Sequence, residues 1–283
     1  MGEAFASLAD GSARGTVDYS AHELTARVDA TDADPGGLVH ALAYVPRAAA
    51  AGRMRAPLVV CCHGLGESGL RVAPVAQRLA AAGAVTIAPH FRGGGAPTAG
   101  PTTAMTVGTE VADLEAVLEA AQTWPFVDTF RIALFGRSQG GLVAMEAAAA
   151  RPAQIAALAL WYPALAAPAA VRRRFGRLGA VPETFTSHVD GRDIVLGRDF
   201  ARDLWSRDVD AAMRRYRSPV LLVHGDADAD VPLAVSQAAA RTLPDARLER
   251  IPGAGHGFAD ADFETAVERT VDFLAWTGLL EAD

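Results

Sequence analysis

Lysine and asparagine are missing altogether from this chain of 283 residues, so all 26 basic side chains are arginine. Such a bias is read as the codon usage of a GC-rich bacterial genome, and arginine abundance by itself carries no binding signal. Nor is there an excess of basic charge: the net charge of −7 leaves no electrostatic footprint for nucleic acid or an anionic membrane surface. Cysteine is almost absent. Cys61 and Cys62 are neighbours in an apolar run, which excludes a disulfide framework or a cysteine metal cluster and makes both small core side chains. No uninterrupted apolar run reaches the ~18 residues of a membrane span, and the N-terminal residues lack the basic-then-apolar pattern of an export leader. The expected location is the cytoplasm.

What is present is apolar mass, 51% of residues, enough for one sizeable core. Residues 1–15 are small, polar and aperiodic and predict a loosely ordered arm; residues 16–283 predict one domain. Strands are expected at 17–28 and 38–45, joined by the turn-rich Asp32-Ala33-Asp34-Pro35-Gly36-Gly37 as a hairpin at a sheet edge. Apolar strands then alternate with helices: 58–62 before 72–82, 85–88 before 107–121, 132–135 before 142–150. Further strands at 155–161, 220–223 and 248–251 precede a last helix at 263–276. Continuous apolar strands alternating with helices predict an α/β fold with a mostly parallel central sheet covered on both faces. The alternation breaks at 163–215, which carries Pro163, Pro168, Pro182 and the run Arg172-Arg173-Arg174. An excursion of that length predicts an inserted cap over the C-terminal ends of the strands. Trp161, Tyr162, Phe185 and Trp205 either line a pocket beneath it or form its own small core.

The chemistry sits at Gly136-Arg137-Ser138-Gln139-Gly140, between an apolar strand and an alanine-rich helix. Strand, Gly-x-Ser-x-Gly and helix make a nucleophile elbow, in which glycines flank the serine because the turn leaves no room for side chains. Ser138 is therefore the candidate nucleophile. A serine hydroxyl needs a base and a group that orients the base. Asp226, Asp228 and Asp230 share one loop after strand 220–223, and the spacing Gly-x-x-Asp-x-x-Val-Pro selects Asp228. His256, in Gly255-His256-Gly257-Phe258, follows the next strand. The alternating aspartates lack the glycine and distal glutamate of a calcium loop, so no metal is expected. Acyl transfer also requires donors for an oxyanion. The backbone N–H groups of Leu65, in His63-Gly64-Leu65-Gly66, and of Gln139 are assigned that role, with His63 holding the loop.

Ser, acid and His in that chain order, with His63-Gly64, Gly136 to Gly141, Leu196 to Asp203, the run 219–232 and Gly255 to Phe258, resemble the α/β-hydrolase superfamily. Within it the chain is similar to the cinnamoyl or feruloyl esterase group and its serine-aminopeptidase-like relatives. The resemblance implies a carboxylic-ester hydrolase with an acyl-enzyme intermediate, no cofactor, and an aromatic or medium-sized acyl ester held under the cap. The same residues also suit an acyltransferase or thioesterase of a biosynthetic pathway, and a non-catalytic ligand-binding member is a further alternative. Arg137 stands where those esterases usually have histidine. It is read either as paired with a buried carboxylate or as a contact to an anionic substrate, and with Tyr162 it is assigned to substrate binding. The expected partners are a small-molecule ester and, at most, a second copy of the chain in a homodimer; neither nucleic acid nor membrane is expected.

Overall fold

The structure, a computed structural model, describes residues 6–11, 17–32, 34–94 and 100–281, the first of these by its backbone alone. In chain order the elements are β1 (Ala6–Gly11), β2 (Tyr19–Val28), β3 (Gly37–Pro46), a one-turn α1 (Arg47–Ala50), β4 (Ala56–Cys62), α2 (Gly69–Ala81) and β5 (Val85–His90). They continue with α3 (Val107–Gln122), β6 (Val127–Arg137), α4 (Gln139–Ala150), β7 (Ala157–Trp161), α5 (Ala167–Phe175), β8 (Thr184–Val189) and β9 (Arg192–Gly197). The chain ends with α6 (Arg198–Ser206), α7 (Val209–Arg215), β10 (Val220–Gly225), α8 (Ala234–Thr242), β11 (Ala246–Ile251) and α9 (Asp260–Trp276).

One sheet runs β1-β2-β3-β5-β4-β6-β7-β10-β11. Every pair from β5 through β4 to β11 is parallel, while β1, β2 and β3 add antiparallel strands at one edge. The sheet is apolar on both faces because it is covered on both. In β4, Leu58, Val60 and Cys62 join one core cluster, and the alternate Val59 and Cys61 join the cluster on the opposite side. Burial raises the thiol pKa of both cysteines, which keeps them as inert core side chains.

The arm expected at 1–15 is corrected in part. Residues 6–11 pair antiparallel with β2, whose outer edge otherwise exposes a row of unpaired backbone groups; residues 1–5 and 12–16 lie outside the described residues. Between β7 and β10 the chain leaves the sheet to build α5, the two-stranded β8-β9 sheet, α6 and α7. Of these, α7 packs on α4 and α6 touches α3. The β8-β9 hairpin is absent from the sequence reading. Its turn residues Asp190 and Gly191 both take positive φ, 52° and 69°, as an Asp-Gly two-residue turn demands.

Candidate active site

Strand β6 ends at Arg137 and α4 begins at Gln139, leaving Ser138 alone to turn the chain, at φ 51° and ψ −121°. This is strained backbone for a residue with a Cβ. The turn closes because its flanks are bare: a Cβ on Gly136 would run into the Gly140 carbonyl, and one on Gly140 into the carbonyls of Cys62 and His63. Gly140 thus brings the elbow against the end of β4, where the Leu65 loop starts.

The three loops after β6, β10 and β11 converge. His256 Nε2 lies 3.0 Å from Ser138 Oγ, and His256 Nδ1 lies 2.8 Å from Asp228 Oδ2. The other oxygen of Asp228 accepts the N–H groups of Asp230 at 2.9 Å and Val231 at 2.8 Å. Burial pushes the Asp228 carboxyl upward, but hydrogen bonds from His224, His256 and the Val231 N–H outweigh it and hold the pKa well below the usual carboxylate range. The acid is therefore a fixed negative charge facing Nδ1. His224, buried in β10, supports this loop through Val231 O at 2.8 Å and Ser236 Oγ at 2.7 Å. The neighbouring aspartates brace loops: Asp226 accepts the Gly253 N–H at 2.6 Å and Asp230 accepts the Asp190 N–H at 2.9 Å.

Leu65, Ser138 and Gln139 line one cavity of about 590 Å³ that extends under α5, β8, β9 and α6. As the first residue of α4, Gln139 has an N–H with no intrahelical acceptor. The Leu65 N–H likewise donates to no group among the described residues. Two side chains hold the Leu65 loop. His63 Nδ1 meets Gly64 O at 2.9 Å while its Nε2 accepts the Phe91 N–H at 3.1 Å, and Glu67 Oε2 accepts the Gly64 N–H at 2.8 Å. Burial drives the His63 pKa down to about 4, so the ring is neutral, as its accepting Nε2 requires.

The substrate-binding assignment of Arg137 and Tyr162 is corrected. Arg137, 5% exposed, turns away from the cavity and bonds Glu67 Oε1 at 3.0 Å, with its guanidinium 5.4 Å from the Tyr162 ring centroid. Tyr162 is buried against His256, their ring centroids 4.5 Å apart. A guanidinium removed from water needs a carboxylate partner, and Glu67, the residue that also holds Gly64, supplies it. Sequence reasoning missed Glu67 because a partner 70 residues away leaves no local pattern. The arginine run divides: Arg172 donates to the carbonyls of Trp205 and Arg207, Arg174 lies over the Phe175 and Phe185 rings, and Arg173 reaches the cavity wall. Of the aromatics, Phe185 lines the cavity, whereas Trp161 is core, bonded through Nε1 to Thr270 at 3.0 Å.

Residues 54–190 match the family described as serine aminopeptidase, S33, and residues 203–283 match the family described as TAP-like protein. Among curated proteins, the pimeloyl-[acyl-carrier protein] methyl ester esterase of Aromatoleum aromaticum is 32% identical over 163 residues, 43% of this chain. The match spans 65% of that esterase's own length. Among solved structures, Est1E from Butyrivibrio proteoclasticus is 25% identical with a TM-score of 0.72, covering 89% of this chain and 98% of that one. Est1E with ferulic acid bound gives 24% identity and the same TM-score of 0.72, over 92% of this chain and 96% of that one.

Proposed function

We propose that this chain, which belongs to the α/β-hydrolase superfamily, is a serine hydrolase that cleaves carboxylic esters through an acyl-enzyme on Ser138. The observation that carries this reading is the continuous path from Ser138 Oγ through His256 to Asp228, at 3.0 and 2.8 Å, opening into a mostly apolar cavity. Ser138 Oγ attacks the ester carbonyl carbon as its proton passes to His256 Nε2, and Asp228 stabilises the imidazolium that forms. The carbonyl oxygen becomes an oxyanion facing the Leu65 and Gln139 N–H groups. Collapse breaks the C–O bond, and His256 returns the proton to the departing alcohol. Water, deprotonated by the same nitrogen, then releases the acid. Phe185, Val189, Leu196 and Phe200 on the cavity wall suit an aromatic or medium-sized acyl group.

A panel of aryl, acyl-chain and lactone esters, run beside Ser138→Ala and with fluorophosphonate labelling, tests the proposal. Hydrolysis and labelling that both vanish in Ser138→Ala are the expected result. If the natural chain neither hydrolyses nor labels, the reading is wrong. Product analysis with competing alcohols and amines separates transfer to water from transfer to another acceptor.

A further inference from the structure

The chemistry above uses the backbone of Gln139 and leaves its side chain unexplained. That side chain points to the back of the site, where Nε2 lies 2.8 Å from Glu110 Oε2 and 3.8 Å from Met105 Sδ. Glu110 stands in the first turn of α3, is fully buried, and its second oxygen, Oε1, has no partner among the described residues. We propose that Glu110 is a positioning residue for ester cleavage, tying down Gln139 from behind and so fixing the direction of the N–H that meets the oxyanion.

Among the described residues, no cation forms an ion pair with this carboxyl. The charged and titratable groups facing it are Asp113 on α3, Cys62 on β4, Asp203 on α6 and Arg207 just beyond α6. Arg207 is already taken by Asp203 at 2.7 Å and Glu146 at 3.4 Å. Burial accordingly pushes the Glu110 pKa up to about 8, against the pull of the Gln139 bond. Below that pH a neutral acid anchors Gln139 without placing negative charge behind the oxyanion donors. Above it, a carboxylate one side chain away opposes the charge that develops in the transition state. Glu110 therefore positions the donor and sets an alkaline limit on the reaction.

This inference rests on the ester-hydrolase reading, and the experiment separates the two. Hydrolysis of p-nitrophenyl butyrate and the rate of fluorophosphonate labelling of Ser138 are followed from about pH 6 to 10 in the natural chain, Glu110→Gln and Glu110→Leu. The natural chain is expected to lose about tenfold in kcat/KM and in labelling rate on the alkaline side, with a midpoint near pH 8. Glu110→Gln, uncharged and nearly isosteric, matches it at neutral pH and lacks the alkaline fall. Glu110→Leu lowers kcat about tenfold at every pH with KM unchanged. Equal alkaline limbs in the natural chain and Glu110→Gln, a flat profile in the natural chain, or full kcat in Glu110→Leu overturns the proposal. Should Glu110→Leu fail to fold by its thermal midpoint, the Glu110→Gln profile decides. Labelling without ester hydrolysis removes the ester reading and leaves the labelling profiles to judge Glu110; no labelling at all removes both.

Discussion

Asp228 keeps its charge in a buried place because several donors surround it, and this makes its loss asymmetric. Replacing it by asparagine leaves the Val231 N–H satisfied but removes the charge opposite His256 Nδ1 and disturbs the tautomer. Asp228→Asn should lower kcat by about 10³–10⁴ with little change in KM, measured on whichever ester the panel identifies. Glu67 answers to a different logic. Its carboxylate is wedged between buried Arg137 and the Gly64 N–H, so Glu67→Ala strips a buried guanidinium of its paired carboxylate. A loss of about 3–5 kcal/mol in urea unfolding is expected, much of it recovered when Arg137→Met is added. The residues of the triad are marked in the sequence by glycine-rich surroundings and by their order on successive loops. Glu67, Glu110 and His224 carry no such mark, because their partners come from other elements and only folding brings them together.

Single elements show the same division between what neighbours in sequence dictate and what distant packing dictates. The elbow is specified locally by Gly136 and Gly140, and its cost is equally local. Gly140→Ala drives a methyl group into the carbonyls of Cys62 and His63, backbone that cannot swing aside. It should destabilise the fold by about 1–3 kcal/mol or more, and should slow Ser138 labelling even where the protein remains folded. The parallel strands and their helices are legible from continuous apolar runs such as 58–62 and 220–223. The β8-β9 hairpin was legible too, through Asp190-Gly191 between β-branched and aromatic residues, but an inserted segment breaks the strand-helix rhythm against which such signals are weighed. The strand at 6–11 is small, polar and aperiodic; only the open edge of β2 gives it a place.

For the whole molecule, two buried groups pull stability in opposite directions with pH. His63 is held neutral, with a folded pKa of about 4 below its ordinary 6.5. The unfolded chain therefore binds the extra proton first, and stability falls as pH drops from 6.5 towards 4, by up to ~3 kcal/mol for this group. Glu110 is raised from 4.5 to about 8, so it favours the folded state at low pH and that contribution is lost as pH rises through this window. Urea midpoints across pH should show the two partly cancelling. Glu110→Gln should uncover the His63 slope as a steeper gain in stability from acid to neutral pH. The β8-β9 hairpin holds the molecule together in another way. Its tip reaches the Asp228 loop, where the Asp190 N–H meets Asp230, and its second strand reaches the Leu65 loop, where Arg192 meets Gly66 O at 3.2 Å. Its inward residues Phe185, Val189 and Leu196 meanwhile shape the cavity. For anyone redesigning this protein, the hairpin is thus a cassette whose inward face at 185, 189 and 196 can be rewritten, provided the anchoring contacts of residues 190, 192 and 195 are kept.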